Sequence, residues 1–242
     1  MKIGILTDIH NNVIALNAVL QEFDKQNCQK IVCAGDIIGI GAYPEETVQR
    51  IMTIPNLIAV RGNHEKYLLE GMPTQCPNDE GMDYEEMEYH KWEHKLLSQS
   101  SITFLRKFPY CSTFNVFGKN ISVMHYCMNQ NNQYINYTPH PIESDLLNLF
   151  PDPKQDIVIY GHDHTRTICN YQKKRFINSG SLGCPSNERN ITRAAILEIT
   201  ENGSVSIHNI EKQYDVDKVL RDIDQLNYPA SLEIKHFFFG VD

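Results

Sequence analysis

The sequence has seven cysteines but no cysteine cluster, because none forms a CxxC pair or has zinc-finger spacing. We therefore expect reduced and mostly buried thiols. No apolar run approaches the roughly 18 residues that a membrane-spanning helix needs. The N-terminal segment lacks the apolar core and small-residue cleavage site of a signal peptide. These absences predict a cytoplasmic protein that makes no use of a membrane.

Basic residues are also scarce, with 22 Lys and Arg against 30 Asp and Glu and a formal net charge of -8. Binding to extended DNA or RNA relies on many lysine and arginine contacts to phosphates, so this balance argues against it. A small phosphorylated substrate is compatible, because bound divalent cations reverse the local field. Internal repeats, low-complexity tracts and linkers are absent as well. We expect a single domain over residues 1–242, long enough for a sizeable core.

The first third of the chain alternates between predicted strands and helices. Strands are predicted at 2–7, 30–34 and 56–60, and helices at 12–26 and from Pro44 onward. This order is typical of parallel strands joined by right-handed crossovers. The carboxyl ends of such strands lie along one edge of a sheet, where open α/β folds bind their substrates.

Residues 65–108 differ, because acidic residues and two prolines precede predicted helices at 83–98 and 101–107. We interpret this stretch as a helical insertion over the mouth of the site. Beyond residue 110 the pattern favours strands separated by short turns, followed by a last helix around 216–226. The strands predicted there are 111–117, 120–126, 156–160, 166–171, 174–178, 193–199 and 204–210.

Five short polar motifs carry the candidate functional residues, and most of them follow a predicted strand. Oxygen and imidazole ligands without clustered cysteines are typical of a two-metal hydrolytic centre. Each motif alone occurs by chance, but the complete ordered set predicts such a centre. The candidate residues are Asp8, His10, Asp36, Asn63, His64, His125, His162 and His164.

Two of these residues are assigned separate duties by their chemistry. A carboxylate can bind two cations, so Asp36 is the candidate bridging ligand. His64 adjoins the amide ligand Asn63 but is not needed as a ligand, so it is the candidate general acid for the leaving oxygen. Two ions about 3.5–4 Å apart clamp a phosphate and activate water. We expect two divalent metal ions, manganese first, with iron, nickel or zinc as alternatives.

The motifs resemble those of the calcineurin-like metallophosphoesterase family, which are D-x-H, G-D-x-x-G, G-N-H-D/E, a lone His and G-H-x-H. The resemblance implies an α/β fold, a four-layer α/β/β/α sandwich of two mixed sheets flanked by helices, with a dinuclear centre. His64 would lie near the leaving group. One implied metal site comprises Asp8, His10, Asp36 and His164. The other comprises Asp36, Asn63, His125 and His162.

Residues 39–44 and 178–185 further resemble the compact prokaryotic phosphodiesterase branch of this family. Protein Ser/Thr phosphatases of the family continue their second motif as G-D-x-x-D-R-G, whereas Gly39-Ile40-Gly41 stand here. This difference favours a phosphodiesterase acting on a small phosphate ester. A dinucleoside-polyphosphate hydrolase or a protein Ser/Thr phosphatase is the alternative, and a non-catalytic scaffold is disfavoured by the intact ligand set. The oligomeric state cannot be read from the sequence.

Four further residues are candidate substrate contacts. Asn12 either touches phosphate or caps the following helix. Arg61 either contacts phosphate or pairs with an acidic neighbour, and Arg166 offers the same choice. Tyr126 follows His125 and is expected to narrow the cleft.

Aromatic and histidine side chains in the insertion and at the end of the chain admit two interpretations. His90 and His94 have the i, i+4 spacing that can bind metal on a helix, but their charged surroundings favour an exposed helix face. Tyr89 and Trp92 either stack on a substrate base or pack into the fold, which we favour. The apolar run at 237–239 is expected to pack on its own domain.

Overall fold

The structure is a computed structural model that describes residues 1–77, 82–184 and 188–241, which form ten strands and eight helices. The strands are β1 (Lys2–Leu6), β2 (Lys30–Cys33), β3 (Leu57–Ala59), β4 (Cys111–Val116), β5 (Lys119–Met124), β6 (Ile157–Ile159), β7 (Thr167–Tyr171), β8 (Lys174–Asn178), β9 (Ile191–Ile199) and β10 (Val205–Gln213). The helices are α1 (Val13–Lys25), α2 (Pro44–Met52), α3 (Asn63–Glu70), α4 (Tyr84–His94), α5 (Gln99–Leu105), α6 (Glu143–Leu149), α7 (Val216–Leu226) and α8 (Ser231–Phe239).

The strands form two five-stranded mixed sheets, with the orders β10-β9-β1-β2-β3 and β4-β5-β6-β8-β7. In the first sheet β1, β2 and β3 are parallel, as the alternating pattern predicts, while β9 and β10 are antiparallel. In the second sheet β5, β6 and β8 are parallel, and β4 and β7 flank them in the opposite direction. The predicted pair of mixed sheets is therefore confirmed.

The two sheets pack face to face through aliphatic side chains such as Ile5, Val123 and Ile159, all of which are fully buried. The outer face of the first sheet is covered by α1, α2 and α5, with Leu16 and Val48 in the shared core. Helix α6 covers the outer face of the second sheet. Burial of both faces of both sheets gives the predicted four-layer α/β/β/α sandwich.

Helices α4, α7 and α8 pack together at one end of the sandwich. The Trp92 and Tyr228 rings stack with centroids 4.5 Å apart, and the Tyr89 and Tyr228 centroids are 5.3 Å apart, which confirms packing of Tyr89 and Trp92 into the fold. The terminal aromatic run is split, because Phe239 is buried whereas Phe237 is 67% exposed. Helices α3, α6 and α8 lie where no helix was predicted. Among the described residues, none of the helices has the length and apolar character that spanning a membrane requires.

Gly4 lies in the middle of β1 and faces α1. A Cβ atom at this position would lie 2.5 Å from the ring of Phe23. We expect Gly4→Ala to lower the free energy of unfolding by about 1–3 kcal/mol, because the overpacked ring must move. Urea unfolding would measure the change. Adding Phe23→Leu should recover part of the loss, and an equal loss with either residue at position 23 would contradict this explanation.

Candidate active site

The candidate ligands follow the carboxyl ends of parallel strands in both sheets. Asp8 and His10 follow β1, Asp36 follows β2, His125 follows β5, and the pair His162 and His164 follows β6. Asn63 and His64 begin helix α3. Five of these loop residues have left-handed backbones, with φ of 52° at Asp8, 48° at His10, 51° at Asp36, 81° at His162 and 55° at His164. Such conformations cluster at sites where surrounding structure enforces a particular side-chain direction.

Asp8, His10 and His164 form the first group of ligand atoms. The Nε2 atoms of His10 and His164 are 2.8 Å apart, and Asp8 Oδ1 lies 3.6 Å from His164 Nε2 and 3.9 Å from His10 Nε2. The Thr7 hydroxyl and the backbone N–H of His162 both donate to the Asp8 carboxylate, at 2.6 and 3.0 Å. The carboxylate is therefore held in place toward the two imidazoles.

Asn63, His125 and His162 form the second group. Asn63 Oδ1 lies 3.0 Å from His125 Nε2 and 3.1 Å from His162 Nδ1, and these two ring nitrogens are 3.2 Å apart. The other nitrogen of His125, Nδ1, lies 2.8 Å from the carbonyl oxygen of Ala34 and donates to it. This bond directs the Nε2 atom of His125 at the group, an arrangement typical of histidines that bind metals.

The Asp36 carboxylate lies between the two groups. Its Oδ2 atom is 3.1 Å from His125 Nε2 in the second group and 3.9 Å from His10 Nε2 in the first. Asp36 is 2% exposed, and burial raises the pKa of its carboxyl group, an effect that His125 opposes. A carboxylate in this position is stabilised by positive charge in either ligand group.

The residues fit divalent cations. Burial, followed by the neighbouring histidines, lowers the pKa of His10 well below its usual value, and burial and His125 do the same for His162. Both rings are therefore neutral and have lone pairs for a metal. The Nε2 atoms of His10 and His164, 2.8 Å apart, are close enough to bind one cation together. The clusters of histidine and aspartate indicate a dinuclear divalent metal site.

His64 lies at the edge of both groups. Its Nε2 atom is 3.7 Å from Asp36 Oδ2, and its ring centroid is 5.0 Å from that of His10. Burial and then the neighbouring His90 lower the pKa of His64 well below its usual value. The ring is thus adjacent to the ligands, with Nε2 toward the reacting centre.

Glu65 has a structural role that the sequence patterns did not reveal. Its carboxylate is fully buried and accepts four backbone N–H bonds, from Asp36, Ile37, Ile38 and Gly62, at 2.7 to 3.1 Å. Each carboxylate oxygen accepts two of them. Glu65 thereby fixes the loop after β2, which carries Asp36, to the start of α3, which carries Asn63.

We expect Glu65→Gln to lower the free energy of unfolding of the metal-free protein by at least about 2 kcal/mol. The amide NH2 group cannot accept, so two buried N–H donors lose their partner at about 1–3 kcal/mol each. Chemical denaturation would measure the loss. Glu70→Gln on the same helix is the matched control, since the Glu70 side chain is 42% exposed and its replacement should change stability by less than about 1 kcal/mol. Equal effects of the two variants would contradict the role of Glu65 in fixing the loop after β2 to the start of α3.

The segment 178–184 holds the loop that carries Asp8 through hydrogen bonds to its backbone. The Ser181 hydroxyl donates to the carbonyl oxygen of Asp8 at 2.9 Å, and the Leu182 N–H donates to that of Thr7 at 3.1 Å. The last residue of the motif at 178–185 lies outside the described residues. The described part of this motif acts on the backbone that presents Asp8.

None of the four candidate substrate contacts, all of them described residues, lines the cavity at the site. Asn12 caps α1 by accepting from the Ala15 N–H at 3.0 Å, and its amide donates to Gly183, so both polar groups are used within the fold. Tyr126 is buried behind His162, with ring centroids 5.0 Å apart, and accepts from the Thr138 N–H. It supports that ligand and does not narrow the cleft.

The two arginines also have structural partners instead of a position in the cleft. Arg61 donates to the carbonyl oxygen of Arg106 at 2.8 Å and pairs with Glu70 at 3.4 Å. Arg166 pairs with Glu211 on β10 at 2.7 Å and also donates to the carbonyl oxygen of Ile210. Pairing with an acidic neighbour is the interpretation that the structure supports for both side chains.

A cavity of about 520 Å³ opens beside the ligand groups. Its walls come from α4, from residues 135–137 and from α8, and the sequence patterns had indicated only the first of these. His90 is fully buried, so the predicted exposed helix face is wrong for this residue. The reason is that α4 packs its Tyr89 and His90 side against the body of the protein, with His90 against His64 at a centroid distance of 4.9 Å.

Comparison with protein families and curated proteins gives two matches. The sequence model of the calcineurin-like phosphoesterase superfamily domain matches residues 1–202. The uncharacterized protein MJ0912 of Methanocaldococcus jannaschii is 27% identical over 259 residues, covering 95% of this chain and 95% of that protein. The family match contains all eight candidate residues.

Solved structures share the fold at low sequence identity. The hypothetical protein PH1004 from Pyrococcus horikoshii has a TM-score of 0.81 at 16% identity, covering 100% of this chain and 99% of its own. A metallophosphoesterase from Sphaerobacter thermophilus has a TM-score of 0.69 at 20% identity, covering 96% of each chain. An archaeal phosphodiesterase has a TM-score of 0.51 at 17% identity, covering 87% of this chain and 100% of its own.

Proposed function

Because this chain belongs to the calcineurin-like phosphoesterase superfamily and is thus a metal-dependent phosphoester hydrolase, we propose that it hydrolyses a phosphodiester in a small substrate. The observation that carries the proposal is the Asp36 carboxylate, whose Oδ2 atom faces nitrogen ligands of both groups, at 3.1 and 3.9 Å. A shared carboxylate with separate ligands on either side is the arrangement that two-metal phosphoester hydrolysis requires.

Two divalent ions would be held by the residues of the two groups, with Asp36 common to both. Asp8, His10 and His164 complete one site, and Asn63, His125 and His162 complete the other. When bound, the ions supply Lewis-acid activation of the phosphoryl oxygens and of the attacking water. A mixed set of oxygen and imidazole ligands suits manganese, and also iron, nickel or zinc. We propose manganese as the first candidate.

His64 supplies the proton that the leaving oxygen takes up. Its Nε2 atom faces the ligand groups, at 3.7 Å from Asp36 Oδ2, and is the atom that would donate the proton. The ring is 6% exposed and its backbone N–H donates to Asp36 Oδ1 at 3.2 Å, so it has little freedom to turn away. General acid catalysis by such a group contributes typically about 10²–10⁴-fold to the rate.

The size and charge of the cavity support a small substrate over a macromolecule. The cavity of about 520 Å³ is walled on three sides, which limits access for a folded phosphoprotein. Acidic side chains at its edge, among them Asp83, Glu85 and Glu233, oppose an extended nucleic-acid chain. The seven cysteines are free thiols, which is consistent with a cytoplasmic location. We further propose a single domain over residues 1–242, with residues 65–108 as an insertion that contributes the α4 wall.

The test is a substrate panel assayed with the metal-stripped protein after addition of Mn²⁺, Fe²⁺, Co²⁺, Ni²⁺ or Zn²⁺ in turn. Bis-p-nitrophenyl phosphate represents diesters, p-nitrophenyl phosphate monoesters, diadenosine tetraphosphate the polyphosphates, and a phosphoserine peptide the protein substrates. We expect the highest kcat/KM for the diester. Preference for the tetraphosphate or the peptide would replace the phosphodiesterase assignment, and no hydrolysis with any metal would favour the scaffold.

A further inference from the structure

A second cluster of ligand atoms lies on the cavity wall, outside the two groups that contain the candidate dinuclear ligands. It joins His64 on α3 to Glu86 and His90 on α4. One nitrogen from each histidine and a carboxylate oxygen of Glu86 all lie within 4.8 Å of one another. Glu86 and His90 have i, i+4 spacing, which places both side chains on one face of α4.

His90 is oriented by a carboxylate through its opposite nitrogen, whereas the opposite nitrogen of His64 faces a carboxylate beyond hydrogen-bond distance. His90 Nδ1 is 3.1 Å from Glu93 Oε2, and His64 Nε2 is 3.7 Å from Asp36 Oδ2. Within the part of the chain that the structure describes, neither His90 Nε2 nor His64 Nδ1 has a hydrogen-bond partner, although both rings are more than nine-tenths buried. Glu86 Oε1, at 3.6 Å from His90 Nε2, is too far for a hydrogen bond.

We propose that His64 Nδ1, His90 Nε2 and Glu86 bind a third divalent transition-metal ion on the cavity wall. Imidazole held by a carboxylate on its far nitrogen is the usual form of a metal-binding histidine, and His90 has that form here. Two imidazoles and one carboxylate are also a ligand set that zinc, cobalt and nickel accept, with further positions left for water or substrate.

The residues around this site fix the positions of His90 and His64. Glu93, which orients His90, is fully buried and accepts from the Asn11 side chain and the Gly39 N–H, each at 2.5 Å. Gly39 also gives His64 Nδ1 its free space, because a Cβ there would lie 2.3 Å from that nitrogen. The cation ties α4 to α3 and keeps the proton of a neutral His64 on Nε2, which faces the reacting centre.

A proton is the competing occupant of the cluster. Without a cation, Glu86 and Glu93 outweigh the opposing effect of burial and raise the pKa of His90 to about 9. His90 would then be an imidazolium between two carboxylates, and no ion would be bound. The neighbouring triplet of His90, Glu93 and His94 is a weaker candidate, because Glu93 Oε1 already accepts from Asn11 and Gly39 while Oε2 is engaged by His90 Nδ1.

The experiment counts ions per chain. Untagged full-length protein is stripped with a chelator, equilibrated with a Zn²⁺ or Co²⁺ buffer of fixed free concentration, and analysed for metal content. We expect three ions in the wild type and two in His90→Ala and in Glu86→Gln. His94→Ala, on the same helix, is the matched control and should keep three. Because the Glu86 side chain is 41% exposed, Glu86→Gln tests the site even where His90→Ala disturbs the fold.

Two ions in the wild type would overturn this inference while leaving the proposed function intact, and the imidazolium would then explain the cluster. The inference would also be overturned if His94→Ala lost an ion while Glu86→Gln kept the three ions of the wild type. The dinuclear centre is tested separately, since Asp36→Asn should reduce the count in either case. Failure of the third site and failure of the dinuclear centre therefore give different results.

Discussion

Asp36→Asn is expected to empty at least one position of the dinuclear centre and to lower turnover by more than about 100-fold. Loss of a residue that only orients a metal ligand costs about 10–100-fold, so the loss of a shared ligand should cost more. The substitution removes the negative charge that faces both ligand groups, at 3.1 Å from His125 Nε2 and 3.9 Å from His10 Nε2. Elemental analysis and initial rates on the same preparation would measure both effects.

Asp163→Asn is the matched control for Asp36→Asn. Asp163 lies between the ligands His162 and His164, but its Oδ1 atom accepts from Asn178 and Thr165. Burial raises its pKa to about 7, so an amide closely resembles its protonated form. This variant should retain the metal content of the wild type. A full complement of metals in Asp36→Asn, or an equal loss in the control, would contradict the bridging role.

The fold was largely predictable because its strands are short apolar runs that end at glycine or polar residues. The β-α-β-α-β order of the first third became three parallel strands, as expected. The local sequence pattern could not show which helix or sheet an isolated helix would pack against. Helix α8 was missed because its apolar residues pack on α7 and on α4, and α4 lies far away in the sequence.

The candidate ligands were predictable because each lies within a recognisable motif and most of them follow a strand, and the structure brings all of them together. The roles of the residues around them were not, since they depend on tertiary contacts. Glu65 binds backbone N–H groups 27 to 29 residues away, and no pattern of side chains reveals such bonds. The sequence left Arg61 and Arg166 with two interpretations each, because their acidic partners lie nine and 45 residues away.

His64→Ala is expected to lower kcat by about 10²–10⁴-fold, the usual contribution of a general acid, while the dinuclear centre keeps both ions. The loss should depend on the leaving group. A p-nitrophenolate ion leaves readily without a proton, whereas an alkoxide needs one. The variant should therefore lose much less activity on bis-p-nitrophenyl phosphate than on an alkyl diester, and steady-state kinetics on the two substrates would show the difference.

His94→Ala provides the control, because His94 lies on the same side of α4 as His90 but does not line the cavity that contains His64. Its rates on both substrates should stay near those of the wild type. An equal loss on both diesters in His64→Ala would mean that His64 positions the substrate or the metals instead of donating a proton. Metal content separates those two outcomes, because only damage to the ligand groups would empty a position held by Asp36. A selective loss on the alkyl diester, with the metals of the dinuclear centre retained, would be specific to proton donation from His64 Nε2.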